Sequence, residues 1–167
     1  MPGPVWLQGP IEGVPALLQP VAHALVEAEE DVRALLTSLS PEVVWARPGG
    51  AASVGYHVRH AVGSLDRLFT YARGEGLSEA QLAALAAEKT LSAKSATPSQ
   101  LVEQFAAGIE RALEQLRETD ASRLLEKREV GRARLPSNVI GLLVHAGDHT
   151  YRHVGQAITT AKIVTGG

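Results

Sequence analysis

The sequence predicts an all-α fold, an up-down four-helix bundle with one long connection before its last helix. Three observations predict it. Apolar residues recur at three- and four-residue steps in four long stretches, proline, glycine and hydroxyl residues punctuate those stretches, and no run alternates clearly as a strand does. The 167 residues are the length of one domain, residues 1–167, with enough interior for a single core.

From Leu17 to Leu39, the residues Leu18, Val21, Leu25, Val32, Leu36 and Leu39 recur at helical spacing and define a first helix. Pro15 and Pro20 fall near its first turns, where proline is tolerated, and Ser40-Pro41 is expected to end it. Arg47-Pro-Gly-Gly50 is loop chemistry, after which a second helix runs from about Ala52 to Arg73, with Gly74 and Gly76 as stops. A short helical patch, Ser78 to Glu88, precedes a polar connector. Thr97 then suits an N-cap and Pro98 a first helical position, so a third helix extends to about Glu118 with Leu101, Phe105, Ile109, Leu113 and Leu116 inward. Asp120 to Leu135 is charged and lacks a sustained period, a long connection with room for a short extended segment. Pro136-Ser137 is expected to open the fourth helix, which continues to about Val164 before a glycine tail.

Composition excludes several functions. Apolar residues make up 45% and charged residues 20%, which places the chain among globular proteins and away from disorder. Lysine and arginine number 16 against 18 acidic residues, and Arg128, Arg132 and Arg134 are interleaved with Glu126 and Glu129, so no basic track awaits nucleic acid. The absence of cysteine removes disulfides, thiolate zinc sites and a cysteine nucleophile. Met1 to Pro10 has no basic region and three prolines, unlike a leader, and no apolar run approaches the ~20 residues that span a bilayer. The expectation is a cytoplasmic protein without a membrane partner.

Five of the six histidines lie in two places: His57 and His60 in the second helix, and His145, His149 and His153 in the fourth. His149 and His153 are four residues apart, so their side chains leave a helix about 40° apart with roughly 6 Å of rise and can reach one ion. On a helical wheel Asn138, Leu142, His145, His149, His153, Gln156 and Thr160 form one stripe beside an apolar band of Val139, Leu143, Ala146, Val154, Ala157, Ala161 and Val164. The second helix repeats the arrangement, with Ser53, Tyr56, His60, Ser64, Arg67 and Tyr71 beside Val54, Val58, Ala61, Leu65, Leu68 and Ala72. If the apolar bands pack together, both polar stripes line one cleft and His60, His149 and His153 converge.

Three neutral nitrogen ligands with an open fourth position suit a catalytic zinc site, and imidazole also accepts nickel or iron. A lone histidine beside a core is more often a hydrogen-bonded structural residue. His23, opposite the apolar stripe of the first helix, is read as exposed. His57 and His145 stay open as alternative ligands, and Glu29 as a residue able to close the fourth position. Tyr56, Ser64, Arg67, Tyr71, Arg152 and Gln156 are placed to orient ligands or to bind an anionic substrate, or to serve as ordinary caps and surface pairs.

The run GYHVRHAVGSLDRLFTY, Gly55 to Tyr71, and the run HAGDHTYRHVGQ, His145 to Gln156, resemble the DinB-like superfamily, as does Arg47 to Gly50 before the second helix. That resemblance implies a DinB-like four-helix bundle, often homodimeric, with a divalent metal held by His60, His149 and His153. It further implies either thiol S-transfer with a low-molecular-weight thiol such as mycothiol, bacillithiol or glutathione, or maleylpyruvate isomerisation. The resulting expectation is a metal-dependent enzyme, in which the ion activates a small thiol toward an electrophile, or water for hydrolysis. Arg67 or Arg152 would hold a carboxylate of the thiol or substrate. The competing expectation is a non-catalytic metal-binding protein of the stress response, or a structural dimer without an ion.

Overall fold

The computed structural model describes residues 3–92 and 94–166; Met1 and Pro2 of the N-terminal segment and Gly167 of the glycine tail lie outside them. The described chain is mostly helical. Four long helices, α1 (Gln19–Thr37), α3 (Val54–Ala72), α5 (Pro98–Glu118) and α6 (Val139–Thr165), carry the core. α6 lies against α3 and α1, and α5 lies against the same two. Leu18, Leu25, Val32, Val54, Val58, Leu65, Leu101, Phe105, Ile109, Leu116 and Leu143 are fully enclosed or nearly so. Each arises from a helical repeat of apolar positions, so the direction in which every long helix turns its polar residues is settled by what it buries.

Two shorter helices connect these rods. Ser40-Pro41 does not simply end the first helix. The Ser40 hydroxyl accepts from the Val43 amide and Pro41 takes the first position of α2 (Pro41–Trp45), because the pair that stops one helix is also a good start for another. α2 is seated by Trp45. Its indole N–H donates to the Ala96 carbonyl at 3.0 Å, and its ring lies where a Cβ on Gly55 would come within 2.8 Å. α4 (Glu79–Ala87) opens with a full capping box between Ser78 and Gln81, and α5 with another between Thr97 and Gln100.

The connection before α6 contains the main departure from an all-α chain. Strands β1 (Lys127–Val130) and β2 (Leu135–Asn138) form an antiparallel hairpin, pairing Lys127 with Asn138 and Val130 with Leu135. Pro136 and Ser137 therefore lie in a strand. α6 starts after them, at Val139, where the Asn138 side chain accepts from the Gly141 amide at 2.8 Å. The turn that leads into the hairpin satisfies α6's first backbone donors, since the Val139 amide bonds the Glu126 carbonyl and the Ile140 amide the Leu124 carbonyl. No helix among the described residues is long and apolar enough to cross a membrane.

Candidate metal centre

The centre is built where α3 and α6 face each other. Ser53 caps α3 by accepting from the Tyr56 amide, and Val54, Val58, Ala61 and Leu65 turn into the core, leaving His57 and His60 along the edge of that band. α6 buries Leu143, Ala146, Val154 and Ala157 and leaves His149 and His153 at the corresponding edge. One nitrogen from each of His60, His149 and His153 lies within 4.8 Å of the other two. Ring centroids stand 5.2 Å apart for His60 and His149, 4.5 Å for His60 and His153, and 4.6 Å for His149 and His153.

The donor set fits a divalent cation. His60 donates Nδ1–H to Glu88 Oε2 at 2.7 Å, so its other nitrogen, Nε2, keeps a free lone pair. His153 Nδ1 is engaged with His57 Nδ1 at 3.0 Å, and with the proton of that bond on His153 its Nε2 keeps a free lone pair. His149 Nδ1 is buried with no hydrogen-bond partner, an uncompensated polar atom among the converging rings. Burial pushes His57, His149 and His153 below the usual imidazole range, His153 to about 4, and the neighbouring His60 ring acts in the same direction on each. Asp148 opposes the shift at His149 without reversing it. These three rings are therefore neutral at neutral pH, the state in which imidazole binds metal.

Glu88 is the site residue that sequence reasoning missed. It follows α4 in a 3₁₀ turn, Glu88–Thr90, and is only 9% exposed. Its second oxygen accepts from Arg67 Nη1 at 2.8 Å, and Arg67 is likewise 9% exposed. Burial raises the Glu88 carboxyl, but the bonds from His60 and Arg67 outweigh it and hold the group below the usual carboxylate range. Gly63 makes room for the trio, because a Cβ there would stand 2.8 Å from Glu88 Oε1 and 3.0 Å from Arg67 Nη1. Nothing in the local sequence marks Glu88, which lies 28 residues from His60 at the end of an exposed helix. Arg67, expected as a substrate anchor, is committed to Glu88 instead.

The remaining candidates fall around this centre. Tyr56 stacks on His60 with ring planes 4° apart. His145 is exposed, 5.6 Å from His149 between centroids, and outside the converging trio. His57 is buried beside His153 rather than standing in for His60. Ser64 is partly buried, and Arg152 pairs with Asp148 one turn away on the surface. An open cleft of about 640 Å³ is walled by His57, Arg152, Gln156 and Thr160. A second, of about 320 Å³ between α3, α4 and α5, is walled by Glu88, Gly63, Arg59 and Arg111. Glu29, considered for a closing ligand, pairs with Arg33 instead and is not among the converging donors. His23 is half-buried, not exposed, because its Nε2 bonds the Gly9 carbonyl of the N-terminal segment at 2.9 Å.

No curated protein matches the sequence. Among solved structures, the chain is similar to a crystal structure of a conserved protein from Enterococcus faecalis, with a TM-score of 0.68 at 20% identity over 90% of this chain and 98% of that one. At that identity the likeness establishes the fold alone. The family profile of the DinB superfamily matches residues 24–157, a span that includes the histidines of α3 and α6 and the Glu88 turn between them, and the chain belongs to the DinB superfamily.

Proposed function

We propose that the protein binds a divalent metal ion through His60, His149 and His153, and that the loaded centre activates a small thiol, or water, for attack on an electrophile. One observation carries the reading: two separate helices bring three half-buried imidazoles to within 4.8 Å, with one orphaned nitrogen among them. Zinc is the first candidate ion, with nickel and iron next. The four long helices serve this site as a single up-down bundle domain, which we take to pair as a homodimer.

When bound, the ion supplies a Lewis acid that lowers the pKa of a thiol or water. The chain's own residues do the rest. The chain has no cysteine, so a thiol nucleophile must arrive with a small molecule. The cleft beside His57 provides an entrance, and Arg152 and Gln156 on its wall offer donors for a carboxylate of the incoming molecule. His57 and Glu88 hold His153 and His60 by the nitrogens that face away from the ion.

The test joins metal content to turnover. Purified protein, stripped and reloaded with zinc, nickel or iron, is incubated with a panel of small thiols and a chromogenic electrophile. The expected result is close to one ion per chain and thiol consumption that requires it, both lost in His149→Ala. Stoichiometric metal without turnover of any thiol or ester would leave a binding protein only. Substoichiometric metal with no thermal shift on zinc addition would remove the centre altogether.

A further inference from the structure

α4 is attached to the molecule in an unusual way for an apolar helix. Its sequence, EAQLAALAA, is rich in alanine and leucine, yet none of its residues is buried, and Leu82 and Leu85 are 42% and 38% exposed. From Glu79 to Ser92 the one buried side chain among the described residues is the carboxylate of Glu88. Polar clamps on α3 hold the arm at both ends. The Gln81 amide donates to Asp66 at 2.7 Å and Thr70 at 2.8 Å near the start, and Glu88 takes its bonds from His60 and Arg67 at the finish. Hydrophobic burial, the usual reason for a helix to dock, contributes little here.

A carboxylate taken out of water stabilises a fold weakly at best, since its desolvation cost offsets much of what its partners return. A leucine at position 88 would anchor the arm with no such cost. The carboxylate matters because of the atom it meets. It accepts the proton on His60 Nδ1, fixing the tautomer and the ring plane, and Gly63 together with Arg67 keeps it in that position.

We propose that Glu88 is a positioning residue for the metal centre: carried in by the α4 arm and backed by Arg67, it locks His60 with Nε2 toward the ion and thereby couples docking of the arm to occupation of the centre. This rests on the metal-binding reading above. A cation on Nε2 makes Nδ1–H a stronger donor, so the ion tightens the bond to Glu88, and by linkage the docked arm tightens the ion.

Zinc affinity is measured by chelator competition for the wild type, Glu88→Gln, Gly63→Ala and Leu82→Ala. Long-range ¹H–¹⁵N spectra of the metal-free proteins give the His60 tautomer, and amide exchange across Glu79–Ala87 is followed with and without zinc. Glu88→Gln is expected to weaken zinc by about 10- to 100-fold. Gly63→Ala should weaken it in the same sense by displacing the carboxylate, even though alanine is the better helix former. Leu82→Ala should leave affinity unchanged. The wild-type His60 should carry its proton on Nδ1, and zinc should slow exchange in α4 in the wild type and in Leu82→Ala but not in Glu88→Gln. Affinity within twofold of wild type in both Glu88→Gln and Gly63→Ala overturns the proposal, as does a wild-type His60 protonated on Nε2 or an α4 indifferent to zinc. Wild type that takes up no zinc is a different failure: it removes the metal reading itself, and with it this extension.

Discussion

At the scale of single residues, the centre is a set of choices about which nitrogen carries a proton. His57 and His153 meet through their Nδ1 atoms at 3.0 Å, so one must donate and the other accept, and the accepting ring cannot take a proton on Nδ1 without breaking the bond. The pH dependence of the metal-free protein follows. An unfolded histidine binds a proton near the ordinary imidazole value of 6.5, whereas burial holds His57 and His149 lower and His153 at about 4. Between those limits the unfolded chain binds more protons than the native one, so stability is fullest above pH 6.5 and declines as pH falls toward 4. Thermal midpoints of chelator-treated protein between pH 7.5 and 4.5 should show that decline, with a smaller slope in His153→Asn. A flat profile across the window would contradict the buried, neutral assignment. His149→Ala carries a separate expectation: it removes the orphaned Nδ1, so it should cost the metal-free protein little while abolishing its zinc-induced thermal shift.

At the scale of elements, what could be foreseen depended on how local the cause was. α1, α3, α5 and α6 each carry a long run of apolar residues at helical spacing, and the Thr97-Pro98 start of α5 is a local signal that the structure reproduces as a capping box. The His60, His149 and His153 grouping was also legible, because a wheel places polar stripes beside apolar bands and packing of the bands brings the stripes together. α2 was not, since Ser40-Pro41 terminates one helix and begins the next with the same two residues. The first strand lies in the connection that had room for an extended segment, but the second was hidden by Pro136, which resembles a helix opener but lies opposite Glu129 in the strand register, with the cap two residues later at Asn138. Glu88 was illegible for another reason: its partners are on α3, and a buried glutamate at the end of an exposed helix has no periodic signature. Caps give a direct test at this scale. Thr97→Ala should lower stability by about 1 kcal/mol through loss of the bond to the Gln100 amide, read as a shift in urea midpoint without change in zinc affinity.

At the scale of the whole molecule, the core and the centre share two helices, so packing and chemistry are not independent. Phe105 on α5 is fully enclosed, and Phe105→Ala should cost about 3–5 kcal/mol, measured by denaturant unfolding. The hairpin has a subtler part. The turn that leads into it and Asn138, the last residue of its second strand, together tie the first turn of α6 at three amides, those of Val139, Ile140 and Gly141. A helix pinned at its start has a fixed angular phase along its entire length, and each added residue advances that phase by about 100°. One alanine inserted between Gly141 and His145 would therefore swing His149 and His153 away from α3, whereas one inserted at the Gly131–Arg134 tip leaves the phase untouched. A turn and the end of a two-stranded ribbon, both remote in sequence from His149 and His153, thus act as the reference mark from which the bearing of those rings is measured.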